Sequence, residues 1–321
     1  MNERSVLEKV VYQFDLMPWI PDKNQIYGDH LVNVLRELSL ELGERYWDFT
    51  FVVYDHKMRK PLPDFKTSGR NVILIFLADE MSTLPETLCD SFFAIFKAFY
   101  PLEKAHRNIL PFPVGYSNSA AMAEFIPFPG RKYDASFAGN FLSNRLDFYR
   151  QFNFLRYLPP FPIYASSVRK YYAKILQKFR IFRPTTYTNR FGKSICYWSD
   201  GFAKGLPREE YAKIISETKI ALCPKGFIST ECYRLMETMR LGCVIISDEL
   251  PPSHWYRDSP IIVTKNWLHI DKLVNELLGD PERMLEIHGK TMDWWRDVCS
   301  DRAVALYLAG EIRRLGNVPQ N

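Results

Sequence analysis

The sequence predicts an α/β protein of two domains, each built on a parallel sheet. Short apolar runs typical of strands, such as Val10–Phe14 and 71–77, alternate along the chain with segments of helical periodicity. The length of 321 residues is sufficient for two hydrophobic cores of ordinary size. Residues 117–130 mix Ser, Asn, Ala, Pro and Gly, a composition typical of a linker, and they separate the two series of elements.

In the N-terminal half of the chain, polar residues follow the ends of predicted strands. We predict a helix from His30 to Leu42, a short aromatic helix at 92–99, and further strands at 49–54 and 109–116. Ligands of open α/β sheets bind beyond the carboxyl ends of the strands. The candidate general bases at these ends are Asp15, Asp55, His56, Asp79 and Glu80. Asp79 and Glu80 are favoured, because adjacent carboxylates raise each other's pKa when both leave water. The alternative is that these acids are only caps.

The second series contains one well-bounded βαβ unit, from Cys223 to Ser247. Cys232, Leu235, Met236 and Met239 recur at the spacing of a buried helical stripe, with Ser229 or Thr230 as the predicted N-cap and Gly242 as the stop. Lys225 and Arg234 near the helix start are suited to a diphosphate, and Glu237 to a ribose diol. The alternative is an ordinary surface helix with solvated charges.

Composition narrows the classes of function. A formal charge of +5 does not indicate nucleic-acid binding, and no recognisable binding module is present. The six cysteines form no CxxC pair, which favours reduced thiols and a reducing compartment. The sequence has no Asp-x-Asp and no ligand spacing among its histidines, so we predict no metal and no other cofactor.

The positive charge is concentrated in residues 166–199, which contain eight Lys and Arg side chains and no Asp or Glu, interleaved with aromatic residues such as Tyr171, Phe179 and Tyr187. We predict a partly helical segment that contacts an anionic membrane surface or glycan through Arg169, Lys170, Lys174 and Lys178. The alternative is a solvated helix and loop. Residues 1–10 lack the apolar core of a signal peptide. We therefore expect a cytoplasmic protein, which is peripheral at a membrane if the basic segment binds one. The alternative is a protein whose membrane anchor lies outside this sequence.

The motif at 223–247 resembles a known family. Its order is Cys-Pro-Lys-Gly, a short gap, Glu231, Arg234-Leu235, Glu237, then Gly242-Cys243 and an apolar strand. This order is similar to the nucleotide-sugar motif of exostosin-like glycosyltransferases, and one departure is Cys232, where the family commonly has Ser. The first half, with Asp79-Glu80 and Pro-x-Gly-Tyr at 113–116, also resembles the acceptor half of exostosin-like and ribitol-xylosyltransferase-like enzymes.

The resemblance implies a GT-B fold, in which two Rossmann-like domains with parallel sheets face a central cleft and a C-terminal helix crosses back. It predicts an acceptor-side domain at 1–125, a nucleotide-sugar-binding domain at 126–300 and a helical tail at 301–321. It also implies a first donor-domain loop with Gly139 approaching the donor and Arg145 meeting phosphate. The predicted donor-binding residues are Gly139, Arg145, Lys225, Gly226, Ser229, Thr230, Glu231, Arg234 and Glu237.

The implied function is that of a glycosyltransferase of polysaccharide biosynthesis. It would move a hexose or pentose from a nucleoside-diphosphate donor, expected to be a UDP-sugar, to a hydroxyl of a glycan or lipid-linked acceptor. The sequence does not decide between inversion and retention, and the resemblance favours inversion without a metal. Two alternatives stay open: a non-catalytic module that binds glycans or membranes, and a nucleotide-sugar epimerase.

Overall fold

A computed structural model describes residues 6–14, 28–55, 61–101, 106–152, 185–187, 191–199, 201 and 204–317. The described strands are β1 (Val10–Phe14), β2 (Thr50–Asp55), β3 (Gly69–Leu77), β4 (Phe92–Lys97), β5 (Ile109–Pro111), β6 (Tyr133–Asn140), β7 (Thr185–Tyr187), β8 (Ser194–Ser199), β9 (Thr218–Cys223), β10 (Val244–Ser247) and β11 (Ile262–Val263).

The described α-helices are α1 (Gly28–Leu42), α2 (Asn118–Ala121), α3 (Leu146–Arg150), α4 (Arg208–Ser216), α5 (Tyr233–Met239), α6 (Ile270–Leu278), α7 (Pro281–Trp294) and α8 (Asp301–Gly316). Short 3-10 helices lie at Gly43–Asp48, Glu86–Ser91, Phe128–Gly130, Ser143–Arg145 and Trp267–His269, and a π-helical turn at Trp295–Cys299 joins α7 to α8.

The chain forms two compact units. Unit 1 comprises Met1–Asn118, Pro251–Asp258 and Trp294–Asn321, and unit 2 comprises Ser119–Leu250 and Ser259–Asp293. Both units are built on a largely parallel sheet, so the prediction of two Rossmann-like α/β domains is confirmed. The predicted ranges 1–125, 126–300 and 301–321 stay predictions.

Unit 1 has a parallel sheet whose strands follow chain order, β1-β2-β3-β4-β5. The apolar run of β3 is buried from Val72 to Leu77, as expected for a strand covered on both faces. Helix α1 buries the predicted stripe of leucines and valine, and α8 packs against it. The predicted return of the C-terminal helix to the N-terminal domain is therefore confirmed. Each buried leucine contributes about 1.5–3 kcal/mol through the hydrophobic effect.

Unit 2 has a six-stranded sheet in the order β11-β10-β9-β6-β8-β7. Only β7, at the edge, runs antiparallel to its neighbour. From β6 the chain first adds β8 on one side and then returns to add β9 on the other side. The position between β6 and β9 is therefore a topological switch point, the place where open α/β sheets bind their ligands.

One predicted element is wrong. The predicted aromatic helix at 92–99 is the strand β4, which pairs with β3 and β5. A short apolar run forms a central strand here, and periodicity alone does not separate such a run from a buried helix. The end of the basic segment is the fully buried strand β8, and residues 166–184 of that segment lie outside the described residues.

Candidate nucleotide-binding site at the switch point of unit 2

The strands β6 and β9 separate toward their carboxyl ends, and the space between these ends is the crevice of the switch point. Their ladder pairs Ala135 with Ile220 and ends at Ser136 and Ala221. Strand β6 continues to Asn140, paired only with β8. The carbonyl groups on the side of β6 that faced β9 must therefore find other donors, since a buried carbonyl without a partner destabilises the fold.

Arg234 supplies one of these donors. Its Nε and Nη2 donate to the carbonyl oxygen of Ala138, at 3.1 and 2.6 Å, and its guanidinium lies 4.7 Å from the centre of the Phe137 ring. Nη1 is buried and has no hydrogen-bond partner among the described residues. Burial lowers the pKa of this guanidinium, but nearby thiol, phenol and carboxyl groups raise it, and the net pKa lies above its ordinary value. Arg234 therefore places a permanent positive charge in the crevice.

Gly139 makes this arrangement possible. A methyl group on its Cα would overlap Nη2 of Arg234, and it would lie 3.4 Å from Nη1 of Arg145 and 3.2 Å from the Phe137 ring. Gly139, which was predicted to approach the donor, is therefore already required by the packing of the protein itself. It lets two arginine side chains come close to the backbone of β6.

Gly139→Ala is expected to destabilise the protein by about 1–3 kcal/mol, because the added methyl displaces the Arg234 guanidinium from the Ala138 carbonyl. In an Arg234→Ala background most of this cost should disappear, and the coupling is measured by urea unfolding of the double-mutant cycle. Gly205→Ala is the matched control, since nothing lies within 4 Å of its added methyl. An equal cost in both backgrounds would contradict the assigned contact.

Arg145 and the preceding Asn144 fix the loop that follows β9. Arg145 donates from Nε to the carbonyl of Lys225 at 2.8 Å and from Nη1 to the carbonyl of Asn140 at 2.8 Å. Asn144 donates from Nδ2 to the carbonyl of Gly226 at 2.6 Å. These contacts give Arg145 a structural role in the described residues, while its predicted contact with phosphate stays a prediction. Asn144 was not singled out from the sequence.

The loop from Pro224 to Cys232 is also tied to the end of β10. The backbone N–H of Lys225 donates to Oδ2 of Asp248 at 2.7 Å, and Oδ1 of the same carboxylate accepts from Nε1 of Trp267 at 3.0 Å. The side chain of Lys225 is partly exposed, and no described residue is its hydrogen-bond or ion-pair partner. Lys225 therefore offers a second positive charge beside the crevice.

The helix begins later than predicted. Its N-cap is Cys232, without a side-chain cap, and the predicted caps Ser229 and Thr230 lie in the preceding loop. The Oγ of Ser229 instead accepts the backbone N–H of Glu231 at 3.0 Å, which satisfies a loop donor before the helix can start. The stop is as predicted, since Gly242 has a left-handed φ of 66° and its added methyl would lie 2.6 Å from Sδ of Met292.

Two carboxyl groups, one on α5 and one in the preceding loop, are buried. Glu237 is 4% exposed and Glu231 is 6% exposed, so the alternative of solvated charges fails for both. Glu237 accepts a hydrogen bond from the hydroxyl of Tyr211 on α4. Burial, followed by the charge of Glu237, raises the pKa of Tyr211 well above its ordinary value, which keeps this hydroxyl protonated as a donor. Binding of a ribose diol to Glu237 would compete with Tyr211, and it stays a prediction.

In unit 1, Asp79 is fully buried. Its Oδ2 accepts from Nζ of Lys97 at 3.0 Å and from the N–H of Thr83 at 2.8 Å, and both members of the ion pair have 0% exposure. Asp79 therefore has a described role as counter-ion and turn cap, while its predicted role as a general base stays a prediction. The adjacent Glu80 is partly exposed, and it stays a candidate for the general base.

The remaining predictions meet different outcomes. Asp55 ends β2, whereas Asp15 and His56 lie outside the described residues, as do the proposed membrane contacts Arg169, Lys170, Lys174 and Lys178. Among the described residues, no group of three or more His, Cys, Asp or Glu side chains is arranged to hold a metal ion. No helix in the described ranges has the length and apolar character needed to cross a membrane.

Comparisons with known proteins add a structural relative. No protein-family model matches the chain, and no curated protein matches it in sequence. Among solved structures, the chain is similar to sucrose-phosphate synthase from Thermosynechococcus elongatus, with 8% sequence identity and a TM-score of 0.46. The alignment covers 89% of this chain and 79% of that chain. The function is therefore inferred from the site itself.

Proposed function

We propose that this protein is a glycosyltransferase that binds a nucleoside-diphosphate sugar in the crevice of unit 2. The observation that carries the proposal is that two cationic residues belong to the segments at the switch point: Lys225 follows β9, and the Arg234 guanidinium contacts β6. Lys225 has no partner among the described residues, and Arg234 has one guanidinium nitrogen without an acceptor. A diphosphate provides oxygen atoms for both groups and neutralises both charges.

The same two groups suit the chemistry of sugar transfer. In this reaction the acceptor oxygen forms a bond to the anomeric carbon while the bond from that carbon to the diphosphate breaks, and the diphosphate leaves with an added negative charge. Fixed positive groups at the leaving oxygen atoms stabilise this charge in the transition state. Lys225 and Arg234 would perform this task without a metal, and Gly226, Ser229, Thr230 and Glu231 would contact the donor from the same loop.

The acceptor hydroxyl must lose a proton during the transfer. In an inverting reaction one general base accepts this proton on the side of the sugar opposite the leaving group. Glu80 is the candidate, because it follows β3 at the carboxyl edge of the sheet in unit 1 and is partly exposed. The exostosin-like motif at 223–247 supports the same class of reaction, with a UDP-sugar as the donor and a glycan or lipid-linked acceptor.

Lys225→Met is expected to weaken binding of UDP about tenfold, because one charge-assisted hydrogen bond to the diphosphate is lost. Isothermal titration calorimetry measures this change. Lys213→Met is the matched control, since Lys213 is exposed in the last turn of α4, the helix that leads into the amino end of β9. Its UDP affinity should equal that of the wild type.

A panel of UDP-, GDP- and ADP-sugars, read by thermal stabilisation, then identifies the donor, because a ligand raises the stability of the state it binds. Incubation of the stabilising donor with and without candidate acceptors tests transfer. Failure of every nucleotide to bind would overturn the proposal. Binding without transfer or hydrolysis would favour a non-catalytic module, and conversion of the donor alone would favour an epimerase.

A further inference from the structure

The loop after β9 carries an exposed apolar tip. The backbone N–H of Gly226 donates to the carbonyl of Ser229 at 2.9 Å, and the chain makes a sharp turn at the two residues between them. Phe227 and Ile228 stand at the centre of this turn and are 52% and 41% exposed. Two large apolar side chains therefore face solvent beside the cationic crevice.

The turn is held from several directions. Asn144 donates from Nδ2 to the carbonyls of Gly226 and Phe227, at 2.6 and 3.4 Å. The residue before the turn is fixed through both of its backbone groups, since the carbonyl of Lys225 accepts from Arg145 and its N–H donates to Asp248. The backbone beneath Phe227 is thus fixed before any ligand binds, so that binding would cost little ordering of the loop.

A second exposed phenylalanine in unit 2 differs from Phe227 in what contacts its ring. Phe125 is 53% exposed, and its ring is covered on one side by the Arg131 guanidinium, 5.8 Å from the ring centre. Phe227 has no ring contact with an aromatic or cationic side chain among the described residues, and 52% of its surface is exposed. A flat partner can therefore reach the exposed part of its ring.

We propose that Phe227 is the surface on which the nucleobase of the bound nucleotide stacks. The inference rests on the proposed function and adds a subsite to it. Phe227 follows Lys225 by two residues, so that their Cα atoms are at most about 7 Å apart. A nucleoside diphosphate has an anionic end and a flat aromatic end, and the loop presents a cation and an open ring at this separation. Base stacking on aromatic side chains tolerates any base, because every base has a π-face.

The test compares two ligands that differ in the base. Phe227→Ala should weaken UDP binding about 5- to 100-fold in calorimetry, and it should leave the affinity for inorganic pyrophosphate unchanged. Phe227→Trp should retain UDP affinity, since it keeps a stacking surface. Phe125→Ala is the matched control and should bind both ligands as the wild type does. Lys225→Met should weaken both ligands.

Each outcome decides the question. UDP affinity of Phe227→Ala within twofold of the wild type would overturn the stacking role. Equal losses for UDP and pyrophosphate would overturn it as well, because the substitution would then act on the loop and not on the base. If the wild type binds neither ligand, the proposed function fails and the subsite fails with it.

Discussion

Arg234→Met is expected to lower the affinity for UDP by about 10- to 100-fold. In the wild type Nη1 is buried without an acceptor, a situation that costs about 1–3 kcal/mol for a polar group. A phosphate oxygen would accept from this nitrogen and remove the cost. Methionine keeps much of the volume against the Phe137 ring but offers no donor and no charge. Calorimetric titration with UDP measures the loss.

A structural effect must be separated from the loss of a ligand contact, because Arg234 also donates to the carbonyl of Ala138. Arg240→Met is the matched control: Arg240 is a partly buried arginine at the end of the same helix, and its Nη1 donates to the carbonyl of Ala120 at 2.8 Å. Both variants should lose similar stability in urea unfolding, and only Arg234→Met should lose UDP affinity. If Arg234→Met and Arg240→Met bind UDP with equal affinity, Arg234 is not part of the binding site.

Lys97→Met is expected to destabilise the protein by about 3–5 kcal/mol, because it leaves the Asp79 carboxylate buried without its counter-charge. The double variant Asp79→Asn with Lys97→Met should recover most of this loss, since asparagine is neutral and its oxygen can still accept from the N–H of Thr83. Chemical denaturation of the single and double variants measures both values.

A partly exposed ion pair provides the control for this series. Lys219 lies 3.0 Å from Asp134, with 24% and 23% of the side chains exposed, so Lys219→Met should cost less than about 1 kcal/mol. A loss of that small size in Lys97→Met would mean that the Asp79 carboxylate is not enclosed as described. The same series tests the role of Asp79, since a stable Asp79→Asn variant that retains transfer would exclude it as the general base.

Much of the fold was predictable, because most elements carry a local signal. Strand β1 has the predicted bounds, and α1, β2 and β3 differ from the predictions by only one or two residues at their ends. The prediction of a helix failed at residues 92–97 for a physical reason. Their aromatic run has no period, and only pairing with β3 and β5 makes it a strand. Lys97 within that run was an overlooked signal, because a single charge in a buried strand requires a partner.

Residues of the candidate site were predictable where the chemistry of the side chain and its spacing in the sequence indicated the same role. Lys225, Arg234 and Gly139 lie at the switch point of unit 2, where the sequence argued for a donor site. The partners that shape the loop were missed, because Asn144, Tyr211 and Asp248 act through backbone groups or distant residues. The start of α5 was also missed, since Ser229 forms a turn with Glu231 before the helix begins.

The return of α8 to unit 1 has a consequence for synthesis on the ribosome. Helix α1 buries its leucine stripe against α8, and α8 ends at Gly316, whereas the last segment of unit 2 ends at Asp293. Domains usually fold in the order in which they are translated. Here unit 2 has all its segments before α8 exists, so the half translated first completes its core last. Until then the side of α1 that packs against α8 stays uncovered, and a nascent chain paused before residue 301 is expected to expose it.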